Sequence, residues 1–235
     1  VTASDGINET SQYITVNVTN VNDTSPVFTL PVTFELDEGQ TDIGTVTVSD
    51  ADDDPVTFTI SGSELAIGHT TGVLTFASAP DYETQSSYTA TVTASDGINE
   101  TSQYITVNVT NVNDAPVFTS STTFSVAENQ TSIGTVTATD ADGSSVTFTV
   151  SGSELRITSG GVLTFASAPD YETKSSYTAI VTASDGTNTT TQDITVNVTD
   201  VNDAPVFTSS STFSAAENQM AIGTVTAGDA DGDSA

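Results

Sequence analysis

Carboxylates recur along this chain in fixed settings, and any chemistry must begin with them. Asp-Ala-Asp stands at Asp50 and Asp52, Asp140 and Asp142, and Asp229 and Asp231; Asp-Tyr-Glu stands at Asp81 and Glu83 and at Asp170 and Glu172. A glutamate followed by Gly or Asn occurs at Glu38 and Glu128, and Ala-Ser-Asp ends at Asp96 and Asp185. Val-Asn-Asp supplies Asn22 and Asp23, Asn113 and Asp114, and Asn202 and Asp203. Acids separated by one residue converge only where the backbone bends, so these motifs belong in loops. Hard oxygen donors without cysteine, beside a single unrepeated His69, favour Ca²⁺, which takes six to eight oxygens in a flexible shell. Mg²⁺ wants a tighter octahedron and keeps its waters, and zinc wants thiolate or imidazole. Asp81 and Glu83 also have the composition of a glycosidase pair, but that chemistry needs a sugar cleft with stacking aromatics, and the chain has no Trp.

These motifs ride on an internal repeat. Val1–Asp23 and Val92–Asp114 are the same 23 residues, and a third, drifted copy runs from Val181 to Asp203. The starts at 1, 92 and 181 lie 91 and 89 residues apart, the size of a small domain. Proline closes each linker, at Pro26, Pro116 and Pro205; it fixes its own φ and donates nothing to a ladder, so it suits a stiff joint. Cutting there predicts the tail of a repeat at 1–23, complete repeats at 24–114 and 115–203, and the head of another at 204–235. A slice of a longer array is the expected origin.

Composition narrows the partners. With 31 acidic residues against two basic ones the formal charge is −29, which repels nucleic acid and anionic membrane surfaces alike. No run approaches a membrane span. Disorder is the usual reading of such acidity, but 35% of the residues are hydrophobic and they alternate. Asp53 and Asp54, outside the motifs, read as solvated surface. With no cysteine to form a disulfide, bound metal is the expected staple.

Alternation sets the fold class. Tyr104-Ile105-Thr106-Val107-Asn108-Val109 puts Ile105, Val107 and Val109 on one face, and threonine and β-branched residues suit half-buried strands. In 115–203 the pattern predicts seven strands, near 117–118, 122–126, 132–139, 145–151, 161–166, 176–184 and 191–200, and no helix beyond a short turn near Ala168. That is an all-β chain of tandem seven-stranded Greek-key (Ig-like) β-sandwiches stacked end to end. Acids at both ends of each sandwich would then meet at the joints. Two like charges about 4 Å apart repel by roughly 4 kcal/mol at an effective dielectric of 20, so such a joint needs divalent ions to close.

The same motifs resemble the extracellular cadherin repeat, particularly its bacterial cadherin-like form: an early Glu-Asn, a central D-R-E, A-x-D, D-x-D, and the linker D-x-N-D-N-A-P. Glu128-Asn129 and Glu217-Asn218 match the first, with Glu38-Gly39 a variant. The linker here is one residue shorter than the family form, and Asn111 stands where the family has its leading aspartate. The resemblance implies calcium at each joint. Between the complete repeats it would be held by Glu38, Asp81, Glu83, Asn113 and Asp114 from one repeat and Asp140, Asp142 and Asp185 from the next. By the same correspondence Asn22, Asp23, Asp50, Asp52 and Asp96 serve the preceding joint, and Glu128, Asp170, Glu172, Asn202, Asp203, Asp229 and Asp231 the following one. The family usually takes three ions per joint; the departures point to two or three. No Trp is present for the strand-swap adhesive mechanism of vertebrate members.

The expectation is therefore a non-catalytic, calcium-stiffened stalk in a large extracellular adhesin or cell-surface protein. Its partners would be neighbouring repeats, homophilic or lateral copies, and a surface glycan or protein reached through other domains. Self-assembly into a filament or matrix and a carbohydrate-binding module of a secreted enzyme are the alternatives. Asn-x-Thr sequons occur at Asn8, Asn17, Asn22, Asn99, Asn108, Asn129, Asn188 and Asn197, with Asn17, Asn108 and Asn197 expected on outward strand faces.

Overall fold

A computed structural model describes residues 1–29 and 32–232. The repeat expectations for 24–114 and 204–235 include Leu30, Pro31 and Asp233–Ala235, which lie outside the described residues. The chain forms two compact units, Val1–Val112 and Asn113–Ala235.

In the second unit, alternating residues build two sheets around one core. Thr123–Ala127, Thr189–Thr199, Ser176–Ser184 and Thr147–Val150 lie side by side in that order. The first pair is parallel, Thr123 opposite Thr195 through Ala127 opposite Thr199; the other pairs are antiparallel. Ser132–Thr135, Val162–Phe165 and Leu155–Ile157 form the facing antiparallel sheet. Inward residues of both sheets (Phe148, Val181, Ile194 and Val196 from one; Leu155, Leu163 and Phe165 from the other) make the hydrophobic core. The first unit repeats the plan. Thr33–Asp37, Glu100–Thr110, Ser87–Ser95 and Thr57–Ile60 face Asp42–Thr45, Val73–Phe76 and Leu65–Ile67, with Leu74, Val92, Ile105 and Val107 at the centre. Even the aromatic contact recurs: Phe76 meets Tyr88 edge to face at 4.8 Å, and Phe165 meets Tyr177 at 4.9 Å.

No helix is present among the described residues, and the sandwich agrees with the pattern of alternation. Two details differ. The stretch predicted as one strand over 132–139 divides: Ser132–Thr135, with a register shift between Ser132 and Gly134, pairs with Val162–Phe165, whereas Ala138–Thr139 pairs with Val117–Phe118. Period-two alternation continues through such a break and cannot reveal it. Leu155–Ile157 was not anticipated, because three residues give too few alternations to register.

The shared 23 residues are packed in one copy and exposed in the other. In Val92–Asp114, Ile105, Val107 and Val109 are 2%, 0% and 4% exposed, because Glu100–Thr110 lies between Thr33–Asp37 and Ser87–Ser95. In Val1–Asp23 the same residues, Ile14, Val16 and Val18, are 62%, 79% and 92% exposed, and pairing is confined to Thr2–Ser4 with Glu9–Ser11. Flanking strands, rather than propensity, decide whether this sequence becomes a strand.

Candidate metal centre

Glu38 and Glu128 act as struts. Glu128 follows the strand Thr123–Ala127 and is 2% exposed. Its Oε2 accepts the Tyr171 N–H at 2.9 Å and its Oε1 the Val201 N–H at 2.9 Å. One buried carboxylate thus ties the Asp-Tyr-Glu loop to the start of the linker. Glu38 does the same in the first unit, accepting from Tyr82 at 2.9 Å and Val112 at 2.7 Å. The residue after the glutamate explains the rest of that motif. Gly39, Asn129 and Asn218 have φ of 75°, 63° and 71°, the left-handed region that Gly and Asn tolerate best. The turn lets Gly39 and Asn129 donate their N–H to Pro80 and Pro169 at 2.9 Å each.

Asp-Tyr-Glu closes its own loop. Asp170 accepts the Thr173 N–H at 3.0 Å and the Thr173 hydroxyl at 2.8 Å; Asp81 accepts from Thr84 at 3.1 and 3.0 Å. Glu172 beside Asp170 is exposed. Carboxylate oxygens of Glu128, Asp170 and Glu172 lie within 4.8 Å of one another, and so do those of Glu172, Asp200 and Asp231. Glu172 belongs to both trios. Oxygens 2.3–2.6 Å from a shared calcium are at most about 5 Å apart, so each trio could hold one ion.

The linker is fastened the same way three times. The N–H of the Val-Asn-Asp aspartate reaches the second acid of Asp-Ala-Asp: Asp23 to Asp52 at 3.1 Å, Asp114 to Asp142 at 2.7 Å, Asp203 to Asp231 at 2.6 Å. The first acid of that motif orders its own turn, with Asp50 accepting the Asp52 N–H at 2.9 Å and Asp229 the Asp231 N–H at 3.1 Å. Asp140 accepts from Ser144 at 3.1 Å instead. Ala-Ser-Asp meets the linker asparagine: Asn113 donates to Asp185 at 2.9 Å, and Asn99, itself bonded to Asp96, donates to Asn22 at 2.9 Å. Asn202 donates to the Asp203 carbonyl at 2.7 Å.

Of the expected ligands, Glu128, Asp170, Glu172 and Asp231 fall in the carboxylate trios of the second unit, with Asp203 bonded beside them and Asp229 bracing the Asp231 turn. Asn113, Asp114, Asp140, Asp142 and Asp185 share that unit, and hydrogen bonds link Asn113 to Asp185 and Asp114 to Asp142. In the first unit Asp50 and Asp52 lie together, Asp23 is bonded to Asp52, and Asn22 is joined to Asp96 through Asn99. Glu38, Asp81 and Glu83 lie in the first unit as well; Glu38 is bonded to the loop that carries Asp81 and Glu83, through Tyr82.

Two participants went unnoticed in the sequence. Asp200 stands in a trio; its signal was the family's leading linker aspartate, present in this copy and Asn in the other two. Asp54, taken as solvated surface, is half-buried, with an oxygen within 4.8 Å of oxygens of Asp50 and Asp52.

The electrostatics are those of anions without a counter-charge. Asp200 is raised above the ordinary carboxylate range by desolvation and then by Asp231; Asp203 by desolvation and then by Glu128 and Asp231. A backbone hydrogen bond lowers Glu172, but desolvation and the charges of Glu128, Asp231 and Asp200 outweigh it and raise it. Asp54 is raised by desolvation and by Asp50 and Asp52. Asp185 is lowered, first by the Asn113 amide. Asp96 is lowered as well: desolvation pushes it up, but the Asn99 and Ile98 N–H groups prevail. Buried oxygens of Asp50 (Oδ2), Asp140 (Oδ2) and Asp231 (Oδ1) accept no hydrogen bond from the protein. An all-oxygen donor set with orphaned buried carboxylate atoms fits a hard divalent cation.

Known proteins share this plan. The profile described as "Cadherin domain" matches residues 122–199. The chain is 32% identical over 235 residues to the protocadherin-like wing polarity protein stan of Drosophila melanogaster, covering 85% of this chain and 6% of that protein. It is 33% identical over 196 residues to mouse protocadherin-15, covering 75% of this chain and 10% of that one. The chain thus spans about a tenth or less of these relatives' lengths. Among solved structures, mouse cadherin-23 EC22-24 aligns with a TM-score of 0.58 at 24% identity, covering 88% of this chain and 78% of that chain. Human protocadherin-24 EC1-2 aligns at 0.57 and 24%, covering 77% and 100%. At that identity the structures attest the fold. The family is one of cell-surface adhesion and receptor proteins whose cadherin repeats are extracellular, and this chain, a tandem of such β-sandwich repeats, belongs to the cadherin family.

Proposed function

We propose that the chain is a calcium-binding spacer in a large extracellular adhesion protein, its joints stiffened by external calcium. The repeats would run 24–114 and 115–203, flanked by parts of others at 1–23 and 204–235, stacked end to end. The observation that carries this reading is Glu172, whose carboxylate is common to two oxygen trios drawn from the loop at 170–172, the linker at 200 and the acid pair at 229–231. When bound, calcium supplies positive charge to these anions. Glu128, Asp170 and Glu172 would hold one ion, and Glu172, Asp200 and Asp231 another. Glu128 holds the loop and the linker by its two N–H bonds, and Asp231 holds the linker through Asp203. Both are made by the protein itself, so the donors are positioned before any cation arrives. Millimolar extracellular calcium suits such modules.

Small-angle scattering of the chain in calcium and in excess chelator tests this. Calcium should lengthen the maximum dimension and narrow its distribution. Identical profiles in both conditions would refute stiffening.

A further inference from the structure

Aspartate followed by glycine is the backbone step most open to spontaneous rearrangement, because glycine has no Cβ to shield its nitrogen. Five such steps occur here: Asp5-Gly6, Asp96-Gly97, Asp142-Gly143, Asp185-Gly186 and Asp231-Gly232. In the reaction the glycine nitrogen loses its proton to solvent and attacks the aspartate Cγ. An N–Cγ bond forms and one carboxyl oxygen leaves as water, giving a succinimide. Water then opens the ring at either carbonyl. Breaking the N–Cγ bond restores aspartate. Breaking the bond from nitrogen to the original main-chain carbonyl carbon leaves isoaspartate, with one extra methylene in the backbone. Nothing is oxidised or reduced.

Three of the five steps share the turn Ser-Asp-Gly-x-Asn and the bonds within it. The serine Oγ accepts the glycine N–H at 3.3 Å in Ser4–Gly6, 3.2 Å in Ser95–Gly97 and 3.1 Å in Ser184–Gly186. The aspartate Oδ1 accepts the two N–H groups beyond the glycine. On Asp96 these are Ile98 and Asn99 at 2.8 and 2.6 Å; on Asp185, Thr187 and Asn188 at 2.5 and 2.6 Å. Both reacting groups are therefore engaged elsewhere: the nitrogen must break a bond before it can attack, and the carboxylate is held by other donors. Asp5 keeps the same bonds, to Ile7 and Asn8, although the segment that follows is exposed, so the turn makes them from its own residues. In the two Asp-Ala-Asp-Gly steps a main-chain carbonyl replaces the serine: Gly143 donates to Asp140 at 3.2 Å and Gly232 to Asp229 at 3.3 Å.

We propose that Asp96 and Asp185 are latent sites of isoaspartate formation, and that the Oγ atoms of Ser95 and Ser184 hold the reaction back. The consequence reaches the linker, because Asp185 Oδ2 accepts the Asn113 amide at 2.9 Å and isomerisation would displace that carboxylate. The inference concerns the covalent durability of the turn and does not depend on calcium.

The test follows Asp185, whose surrounding sequence is unique in the chain, in the whole protein and its S184A and S184T variants. Samples are aged in chelator at neutral pH, folded or in urea, with folding checked by circular dichroism. Isoaspartate is read by electron-based peptide fragmentation and by lost cleavage at Asp185 by an aspartate-specific protease. Folded S184A should convert about fivefold faster than the parent, the rate equivalent of one neutral hydrogen bond. S184T, which keeps a hydroxyl, should match the parent, and in urea all three should convert alike. Folded S184A converting no faster than the parent, or S184T accelerating as much as S184A, overturns the proposal. The parent alone gives a second check that needs no variant: it should convert more slowly folded than in urea, and equal rates also overturn the proposal.

Discussion

Glu128 offers a test of whether the strut geometry is real that is independent of metal. E128A removes an acceptor that is 2% exposed and leaves the Tyr171 and Val201 N–H groups, each now bonded at 2.9 Å, without a partner. A buried donor left unsatisfied costs about 1–3 kcal/mol, so two set a ceiling of about 6 kcal/mol. Water reaching the half-exposed linker, and relief of repulsion with Asp170 and Glu172, reduce this to about 2–4 kcal/mol. For a repeat of this size each kcal/mol is worth roughly 4–8 °C, so its transition should fall by at least about 8 °C. E128Q keeps one acceptor and should lose about half as much. The assay is thermal unfolding followed by circular dichroism in excess chelator, so that metal contributes nothing. E217A is the control, because Glu217 occupies the same motif but is exposed. An E128A melt within about 2 °C of the parent would show that the two bonds are replaceable by water.

The shared 23 residues allow an internally controlled pair: I105A should cost about 2–5 kcal/mol, whereas I14A, the same change in the same sequence, should leave the melting curve in place. Equal effects would mean that the two segments are packed alike. Amide exchange should show the same split, since peptides from 12–18 and 103–109 are identical in mass; one peptide should display two equal populations, fast and slow, and a single envelope would contradict the structure. In chelator, Glu172, Asp200 and Asp203 have folded pKa values above their unfolded ones. The folded state then binds the extra protons, so stability rises as pH drops from 7 through those raised values. Asp96 and Asp185 are lowered; what they contribute is present above the ordinary carboxylate pKa and is lost in stronger acid. A melting temperature that falls steadily from neutrality in chelator would show that the crowded carboxylates do not control the joint.

The sandwich was legible because alternation survives over long strands such as Ser176–Ser184 and Thr189–Thr199, where Val181 and Ala183, and Ile194, Val196 and Val198, are buried in alternation. Short pieces escaped, Leu155–Ile157 by length and the break at 136–137 by its continuing period. The acid motifs were legible as a set because they recur, but recurrence has a blind side. Asp200 lies outside the recurring motifs, with asparagine in its place in the other two linkers, and it is the residue that completes a trio. Asp54 also lies outside the motifs and reads from the sequence as solvated surface. The Glu-Asn motif was visible while its cause was not: the asparagine is there for the backbone turn, and the glutamate for two N–H groups more than forty residues away in sequence.

The parallel pairing of the first and last long strands within a repeat has a mechanical consequence. Thr123–Ala127 and Thr195–Thr199 run in the same direction through five paired residues, so pulling the repeat by its two ends slides them past each other in shear. All the bonds between them resist together, instead of opening one after another as in a hairpin unzipped from its end. Traction along the chain should therefore meet a high rupture force in each repeat, and a low-force, gradual extension in single-molecule pulling would contradict it.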